Sequence, residues 1–316
     1  MYFKKYNNFL HGIMFHHFHD NKKHKIGQGS ITADQLYKII KFIGKKNIIS
    51  PTEFIEKINN NDKNLNKVCL TFDDGIKSQF DIAMPVLSEL KIKAFFFIYS
   101  SILTNKPDLL EIYRFFRNNY FKDVNEFYKD FFNLINLDTN IYFSKKEKII
   151  KEIQKKSPYY SIDDIKFRLI RDNYLTQKRY TKIMDKLFKI KKFDEKKHLK
   201  SLYMSKNNLI KLVKNGHIIG LHSHSHPTNL KKLNYEDQLK EYKKNYFKLD
   251  KIVKNKIKIE AMSHPCGSYN QSTLRILKSL GVKIGFRQII FSKKHKEFSS
   301  LEIPRENHSN ILNRIN

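Results

Sequence analysis

The chain reads VCLTFDDG over residues 68–75, and this stretch decides the class of fold that we expect. Its first five residues form an apolar run, which is typical of a strand buried on both faces of a parallel sheet. A helical pattern follows over residues 81–90, with Pro85 as an irregularity, and a second apolar run covers residues 94–99. Strand, helix and strand in this order indicate a fold of alternating β and α elements.

The same alternation continues on both sides of this stretch. Thr32 with Gln35 forms a capping-box signal for an early helix, and Ser50 followed by Pro51 marks the start of a second one. Residues 105–204 contain amphipathic patterns but no clear strand run, so we predict a mostly helical insertion there. The remaining predicted elements are strands over residues 12–18, 218–221, 257–263, 282–286 and 301–304 and helices that begin near Ser205, Asn234 and Ser272.

Three of the predicted strands end in polar clusters, which read TFDDG at 71–75, HSHSHP at 222–227 and SHPCGSY at 263–269. Active sites form at the carboxyl ends of the strands in βα barrels and open α/β sheets. One aspartate of the adjacent pair can bind a metal while the other stays free as a base. His222 and His226 are four residues apart, a spacing that lets two imidazoles converge on one ion.

One aspartate and two histidines suit Zn(II), with Co(II) and Fe(II) as alternatives. A metal beside a free carboxylate provides the parts needed to hydrolyse an amide or an ester. Other histidines have simpler interpretations. We interpret His224 as facing solvent or a neighbouring side chain rather than the metal. His16, His17 and His19 lie near the first predicted strand and are interpreted as structural, with substrate contact at the barrel mouth as the alternative.

The three clusters resemble the motifs of the polysaccharide deacetylase family, also called the NodB-homology family or carbohydrate esterase family 4. The T-F-D-D-G motif is intact, and H-S-H-S-H is similar to the second motif, H-[ST]-x-x-H, with the usual G-H-x-I-G lead-in at residues 216–220. The third motif, R-x-P-[YF]-G, reads S-H-P-C-G, with Ser263 in place of the arginine and Cys266 in place of the aromatic residue. The resemblance covers residues 9–99 and 205–305.

The resemblance implies an α/β fold, a distorted (β/α)7-type barrel, in which residues 1–316 form one NodB-like deacetylase domain and residues 105–204 are the mostly helical insertion within it. It also implies that Asp73 is the general base. The metal ligands that it implies are Asp74, His222 and His226. The residues that it places at the substrate and the oxyanion are Pro265, Cys266, Gly267 and Tyr269.

The departures from the family motifs leave two roles to assign. Because Ser263 cannot position the base as an arginine would, we predict that Arg305 does so, with Arg287 as the alternative. The general acid of the family is usually a histidine in a late L-x-H motif, which this chain lacks. We predict His308 as the catalytic acid, with His264 as the alternative.

Basic residues outnumber acidic ones by 61 to 31, which gives a formal net charge of +30 and first suggests a nucleic-acid partner. The lysines are spread along the whole chain, arginines are few, and no dense basic block stands out, so we do not expect nucleic acid as a partner. The predicted partner is an N-acetylated carbohydrate. Peripheral contact with a membrane or an anionic glycan is an open alternative.

No apolar run approaches the ~18 residues of a membrane span, and no signal peptide is recognised. Two cysteines cannot form a disulfide framework, which favours a reducing compartment. We therefore expect a cytoplasmic protein, and we leave open whether it also associates with a membrane. The leading hypothesis is removal of an N-acetyl group from an amino sugar of a surface glycan or its precursor, such as lipopolysaccharide or capsule. The alternative is a catalytically silent carbohydrate-binding or glycan-assembly protein on the same fold.

Overall fold

A computed structural model describes residues 2–4, 9–20, 22–63, 65–156, 160–253, 258–288 and 298–315. Within these ranges seven strands form one sheet, in which every neighbouring pair is parallel. The strands are β1 (His11–Phe15), β2 (Val68–Asp73), β3 (Phe95–Ile98), β4 (Ile218–Leu221), β5 (Ala261–Ser263), β6 (Ile284–Phe286) and β7 (Arg305–Asn307). Their order is β6-β5-β4-β3-β2-β1-β7, so all carboxyl ends lie at one edge.

The residues just before β7 bring the two ends of this order together. Ile303 donates its N–H to the carbonyl oxygen of Gly285 in β6, and two residues later Arg305 pairs with Gly12 in β1. Gly285 permits this approach, because a Cβ there would lie 2.6 Å from the carbonyl oxygen of Leu301. The sheet is therefore a nearly closed barrel surrounded by helices, which confirms the predicted (β/α)7-type fold.

The last strand lies later than the sequence pattern predicted. Residues 301–304 were expected to form it, but β7 begins at Arg305, after Pro304. Proline has no N–H to donate to a sheet. The residues of β7 are polar and yet Arg305 and Glu306 are buried, because each is paired: Glu306 accepts from the hydroxyl of Tyr2 at 2.7 Å. A hydrophobic pattern does not detect a strand whose buried side chains are ionic.

The described residues also contain fourteen α-helices, and none of them combines the length and apolar character needed to cross a membrane. The capping box predicted at Thr32 and Gln35 is confirmed at the start of the first helix. The helices are α1 (Ala33–Ile43), α2 (Pro51–Asn59), α3 (Met84–Glu89), α4 (Leu110–Asn119), α5 (Val124–Asn133), α6 (Thr139–Ser144), α7 (Glu147–Lys156), α8 (Ile162–Leu169), α9 (Gln177–Ile190), α10 (Glu195–Leu202), α11 (Lys206–Lys214), α12 (Tyr235–Val253), α13 (Gln271–Ser279) and α14 (His308–Ile315).

The chain divides into two compact units. The barrel unit consists of Met1–Asp108 and Lys200–Asn316 and contains all seven strands. Its core includes stacked phenylalanine rings, in which Phe72 of β2 lies 5.1 Å from Phe15 of β1 and 4.8 Å from Phe96 of β3 between ring centroids. The helical unit, Leu109–Leu199, consists of helices without strands among its described residues.

His217 lies at the amino-terminal end of β4, opposite the carboxyl-end site. It is buried, and its Nδ1 accepts a hydrogen bond of 3.1 Å from the backbone N–H of Ala94. A ring nitrogen that accepts carries no proton, so the folded protein holds this imidazole neutral. Burial, together with the nearby charge of Lys93, lowers the pKa of His217 from 6.5 to about 4.

We expect the free energy of unfolding to fall as the pH drops from 6.5 towards 4. The unfolded chain binds a proton at His217 below pH 6.5, whereas the folded chain does so only near pH 4, so acid favours unfolding. This residue alone accounts for at most about 3 kcal/mol across that interval. Urea unfolding of His217→Asn should show a shallower pH dependence than the wild type, and equal slopes in the two proteins would contradict the assignment.

Candidate metal centre

Three buried side chains converge where β2 and β4 end. Oδ1 of Asp74 lies 3.2 Å from Nε2 of His222 and 3.3 Å from Nε2 of His226. One ligand atom from each residue lies within 4.8 Å of the other two. These are the three residues expected to bind the metal, and the structure brings them together.

Local backbone conformation aims these side chains into one space. Asp74 has φ of +77° and His226 has φ of +52°, both in the left-handed region that residues other than glycine rarely adopt. The backbone N–H of His222 donates to Oδ1 of Asn245 on α12, whose side-chain amide in turn donates to the carbonyl oxygen of Ile98. One asparagine therefore holds the end of β4 against the end of β3.

The donor set fits a divalent cation. Nδ1 of His222 lies 2.8 Å from the carbonyl oxygen of Ser263, which can only accept, so Nδ1 carries the proton and Nε2 offers its lone pair. Oδ1 of Asp74 is buried and accepts no hydrogen bond from the described residues. One carboxylate oxygen and two imidazole nitrogens are ligands that suit Zn(II), Co(II) and Fe(II).

Asp73 lies beside this triad in a network of its own. Arg305 of β7 donates from Nη1 to Oδ1 of Asp73 at 2.7 Å and from Nη2 to Oδ2 at 2.8 Å. The hydroxyl of Ser263 donates to Oδ2 at 3.0 Å and accepts from Nη2 of Arg305 at 2.8 Å. All three side chains are buried. The arginine missing from the third motif is thus replaced in space by Arg305, and the serine found there joins the same network.

The network sets the charge of the two carboxylates. Burial by itself would raise the pKa of Asp73, but the charge and hydrogen bonds of Arg305, with a smaller effect of His222, lower it. Burial likewise opposes ionisation of Asp74, and the neighbouring His222 and His226 outweigh it and lower the pKa. Burial disfavours a charged His222, yet the two carboxylates raise its pKa. Protons and a metal cation therefore compete for the ligand atoms of Asp74 and His222.

His16 is a site residue that the sequence interpretation assigned a structural role. Its Nε2 lies 3.9 Å from Oδ2 of Asp73 and 4.0 Å from Oδ2 of Asp74, and its side chain is 27% exposed. Gln79 holds it there, because its side-chain amide donates to the carbonyl oxygens of both His16 and Asp73. His16 directly follows β1, which ends at Phe15, whereas the strand predicted from the sequence ran to residue 18 and enclosed it.

A comparison with protein families agrees with this geometry. The sequence model of the polysaccharide deacetylase family matches residues 45–114 and 153–285, more than half of the chain. The chain belongs to this family. The matched ranges contain the two aspartates, the two metal-site histidines and the third motif, whereas His16 and Arg305 lie outside them.

Solved deacetylase structures share the fold of this chain. The deacetylase PplD of Streptococcus pyogenes, in complex with acetate, has a TM-score of 0.55 at 15% identity over 98% of each chain. IcaB of Ammonifex degensii has a TM-score of 0.56 at 13% identity over 94% of this chain and 91% of its own. A de-N-acetylase from Aggregatibacter actinomycetemcomitans has a TM-score of 0.54 at 13% identity over 97% and 99%. Among curated proteins, none matches the sequence.

The third motif of the chain forms a turn after β5. Pro265 to Gly267 make one 3-10 turn, in which Cys266 is exposed and has a φ of +51°. The N–H of Gly267 donates to the carbonyl oxygen of His264 at 3.0 Å. Tyr269 is partly buried, and its hydroxyl donates to Glu302 at 2.8 Å. The assignment of these residues to the substrate and the oxyanion stays a prediction.

The two histidines predicted as general acid make other contacts in the structure. His308 is buried, with Nδ1 and Nε2 each 3.1 Å from a backbone carbonyl oxygen, those of Met14 and Gly29. Burial lowers its pKa from 6.5 to about 4. Nε2 of His264 lies 2.8 Å from the carbonyl oxygen of Leu301. The catalytic role of His308 stays a prediction. His16, whose Nε2 lies beside both carboxylates, is the other candidate for the general acid.

We expect the protein to bind one equivalent of Zn(II) and to lose this affinity in His226→Ala. Removal of a ligand should cost more than the about 10- to 100-fold typical of changes around a metal site. His224→Ala is the matched control, because His224 lies between the two ligands in sequence but bonds to the hydroxyl of Ser100 at 2.8 Å. Competition with a chromophoric chelator measures both. Equal losses in the two variants would show that the triad is not the site.

Proposed function

We propose that this protein is a metal-dependent hydrolase that removes the N-acetyl group from an amino sugar of a surface glycan or its precursor. The observation that carries the proposal is the buried triad of Asp74, His222 and His226 with the ionised Asp73 directly beside it. One carboxylate for a metal and a second, differently held, for proton transfer are the two parts that amide hydrolysis by water requires.

The residues divide the chemistry between them. A divalent cation at the triad would supply Lewis acidity, which lowers the pKa of water and polarises an amide carbonyl. Asp73 receives the proton of the attacking water, since its carboxylate is ionised and keeps acceptor capacity beyond its bonds to Arg305 and Ser263. Arg305 fixes the orientation of this carboxylate through two parallel hydrogen bonds.

His16 is the better-placed general acid for the departing amine. Its Nε2 lies about equally far from both carboxylates, and its partial exposure leaves it open to a substrate. His308 is enclosed by backbone carbonyl oxygens at both ring nitrogens. We therefore assign protonation of the leaving nitrogen to His16 rather than to the His308 of the sequence prediction.

The choice of substrate and location extends the proposal beyond the chemistry of the site. One protein of the same fold was solved with acetate and another is described as a de-N-acetylase, and both support N-deacetylation as the reaction. The net charge of +30 suits an anionic glycan or a precursor at a membrane surface. Two free cysteines suit a reducing compartment, so we propose that the enzyme acts in the cytoplasm.

We expect the Zn(II)- or Co(II)-loaded protein to release acetate from oligomers of N-acetylglucosamine, and Asp73→Asn to lower kcat by at least about 100-fold. Asn cannot accept a proton but keeps the size of the side chain. Asp34→Asn, at an exposed position in α1, is the control and should leave kcat unchanged. Acetate release that is absent from every amino-sugar substrate, with metal still bound, would favour the silent carbohydrate-binding alternative.

We expect His16→Gln to lower kcat by about 100-fold or more while Zn(II) affinity stays within about threefold, because His16 moves a proton and is not a ligand. His308→Asn is the comparison variant and should affect kcat far less. Acetate release and chelator competition on the same samples separate the two effects. A large loss of kcat in His308→Asn with His16→Gln near wild type would return the acid role to His308.

A further inference from the structure

The longest helix of the described chain, α12, carries a row of exposed lysines around one exposed phenylalanine. All five side chains of this row are exposed, and they are Lys240, Lys243, Lys244, Phe247 and Lys251. Residues three or four positions apart share one face of a helix, so the five lie together on the outer side of α12. These five residues form the lysine face of α12.

The opposite side of α12 is occupied by the barrel unit. Asn245 on this side is buried, and its Oδ1 accepts the backbone N–H of His222 at 2.9 Å. Glu241 accepts the backbone N–H of His224 at 2.9 Å and that of Ser225 at 2.8 Å. The inner side of α12 therefore holds the loop that carries the metal-site histidines, and the lysine face is the side that remains open to a partner.

Phe247 is 63% exposed, which is unusual for its residue type in this chain. Among the described phenylalanine and tyrosine residues, it and Tyr235 are the two exposed ones, and both lie on α12. Lys243 and Lys244 lie one turn before Phe247, and Lys251 lies one turn after it. Because an apolar ring in water gains free energy when it enters an apolar environment, this arrangement favours a partner that is apolar at the ring and anionic at the lysines.

The charge of this part of α12 is strongly positive. Residues 240–251 contain five lysines and two acidic residues, Glu241 and Asp250. Both acidic side chains are partly buried, and Glu241 is bonded to the loop after β4. A cluster of about four to eight basic residues on an amphipathic helix is typical of helices that bind anionic lipids.

We propose that the lysine face of α12 docks the protein on an anionic membrane surface. The lysines bind the phosphate groups of the lipids, and the ring of Phe247 enters the boundary between headgroups and acyl chains. An acidic polysaccharide would satisfy the lysines but offers no apolar phase for the ring. A second copy of the chain would bring identical lysine faces together, and like charges repel. Docking on α12 holds the metal-site loop roughly one helix diameter from the lipid surface.

Sedimentation of the full-length protein with lipid vesicles tests the proposal. We expect binding to vesicles of equal parts phosphatidylcholine and phosphatidylglycerol, and binding that is at least about tenfold weaker to phosphatidylcholine alone. The double variant Lys243→Gln/Lys244→Gln should weaken binding to the anionic vesicles by at least about tenfold, and Phe247→Ala by at least about threefold. The samples contain no sugar substrate, so this result is separate from that of the deacetylation assay.

Two matched controls remove the same kinds of group from other surfaces. Lys45→Gln/Lys46→Gln takes two charges from an exposed pair outside α12, and Ile190→Ala shortens an apolar side chain that is 62% exposed in the helical unit. Both controls should bind as the wild type does, and circular dichroism checks that every variant is folded.

Three results of the vesicle experiment would overturn the proposal. These are equal binding of the wild type to both kinds of vesicle, a loss in the charge control as large as that in the lysine-face variant, and wild-type affinity of Phe247→Ala for the anionic vesicles. Sedimentation velocity without lipid supplies a fourth, because a dimer that Phe247→Ala abolishes would assign the lysine face to a second copy of the chain.

Discussion

Arg305 forms a buried, two-fold hydrogen-bonded ion pair with Asp73, and this contact joins the fold to its site. The arginine comes from β7, the carboxylate from the end of β2, and Ser263, which bonds to both, from the end of β5. The side chain of Arg305 passes Gly12 of β1, where a Cβ would lie 2.9 Å from Cγ of the arginine. Removing either partner of a buried pair leaves an uncompensated charge, at about 3–5 kcal/mol. The strand that joins the two ends of the sheet therefore also supplies the side chain that orients the base.

The other residues of the metal centre lie at the ends of the neighbouring strands, and different local contacts hold them in place. Asp74 and His226 occupy left-handed backbone conformations, which the turns after β2 and β4 impose on them. Gln79 ties His16 to Asp73 through two backbone carbonyl oxygens, and Asn245 ties the end of β4 to that of β3. These contacts fix the mutual positions of the side chains, and such preorganisation is what catalysis needs.

Lysine and arginine serve different purposes in this protein. The net charge of +30 is mostly a property of lysines on solvated surfaces. Two arginines of the barrel unit instead bond to buried carboxylates, Arg305 to Asp73 and Arg314 to Glu306. The positions of the arginines are therefore more informative about specific contacts than the net charge is, because a planar guanidinium forms hydrogen bonds in fixed directions and an ammonium does not.

The βα alternation, the helical character of residues 105–204 and the three metal-site candidates can all be predicted from the amino-acid sequence. These are local signals: an apolar run, a capping box or a motif of five residues carries its meaning within one turn or strand. The start of β7 at Arg305 and the contact of Arg305 with Asp73 are visible only in the folded chain. The fold likewise places His16, and not His308, beside both carboxylates. Those contacts join residues far apart in the chain, and barrel closure, which no local pattern encodes, brings them together.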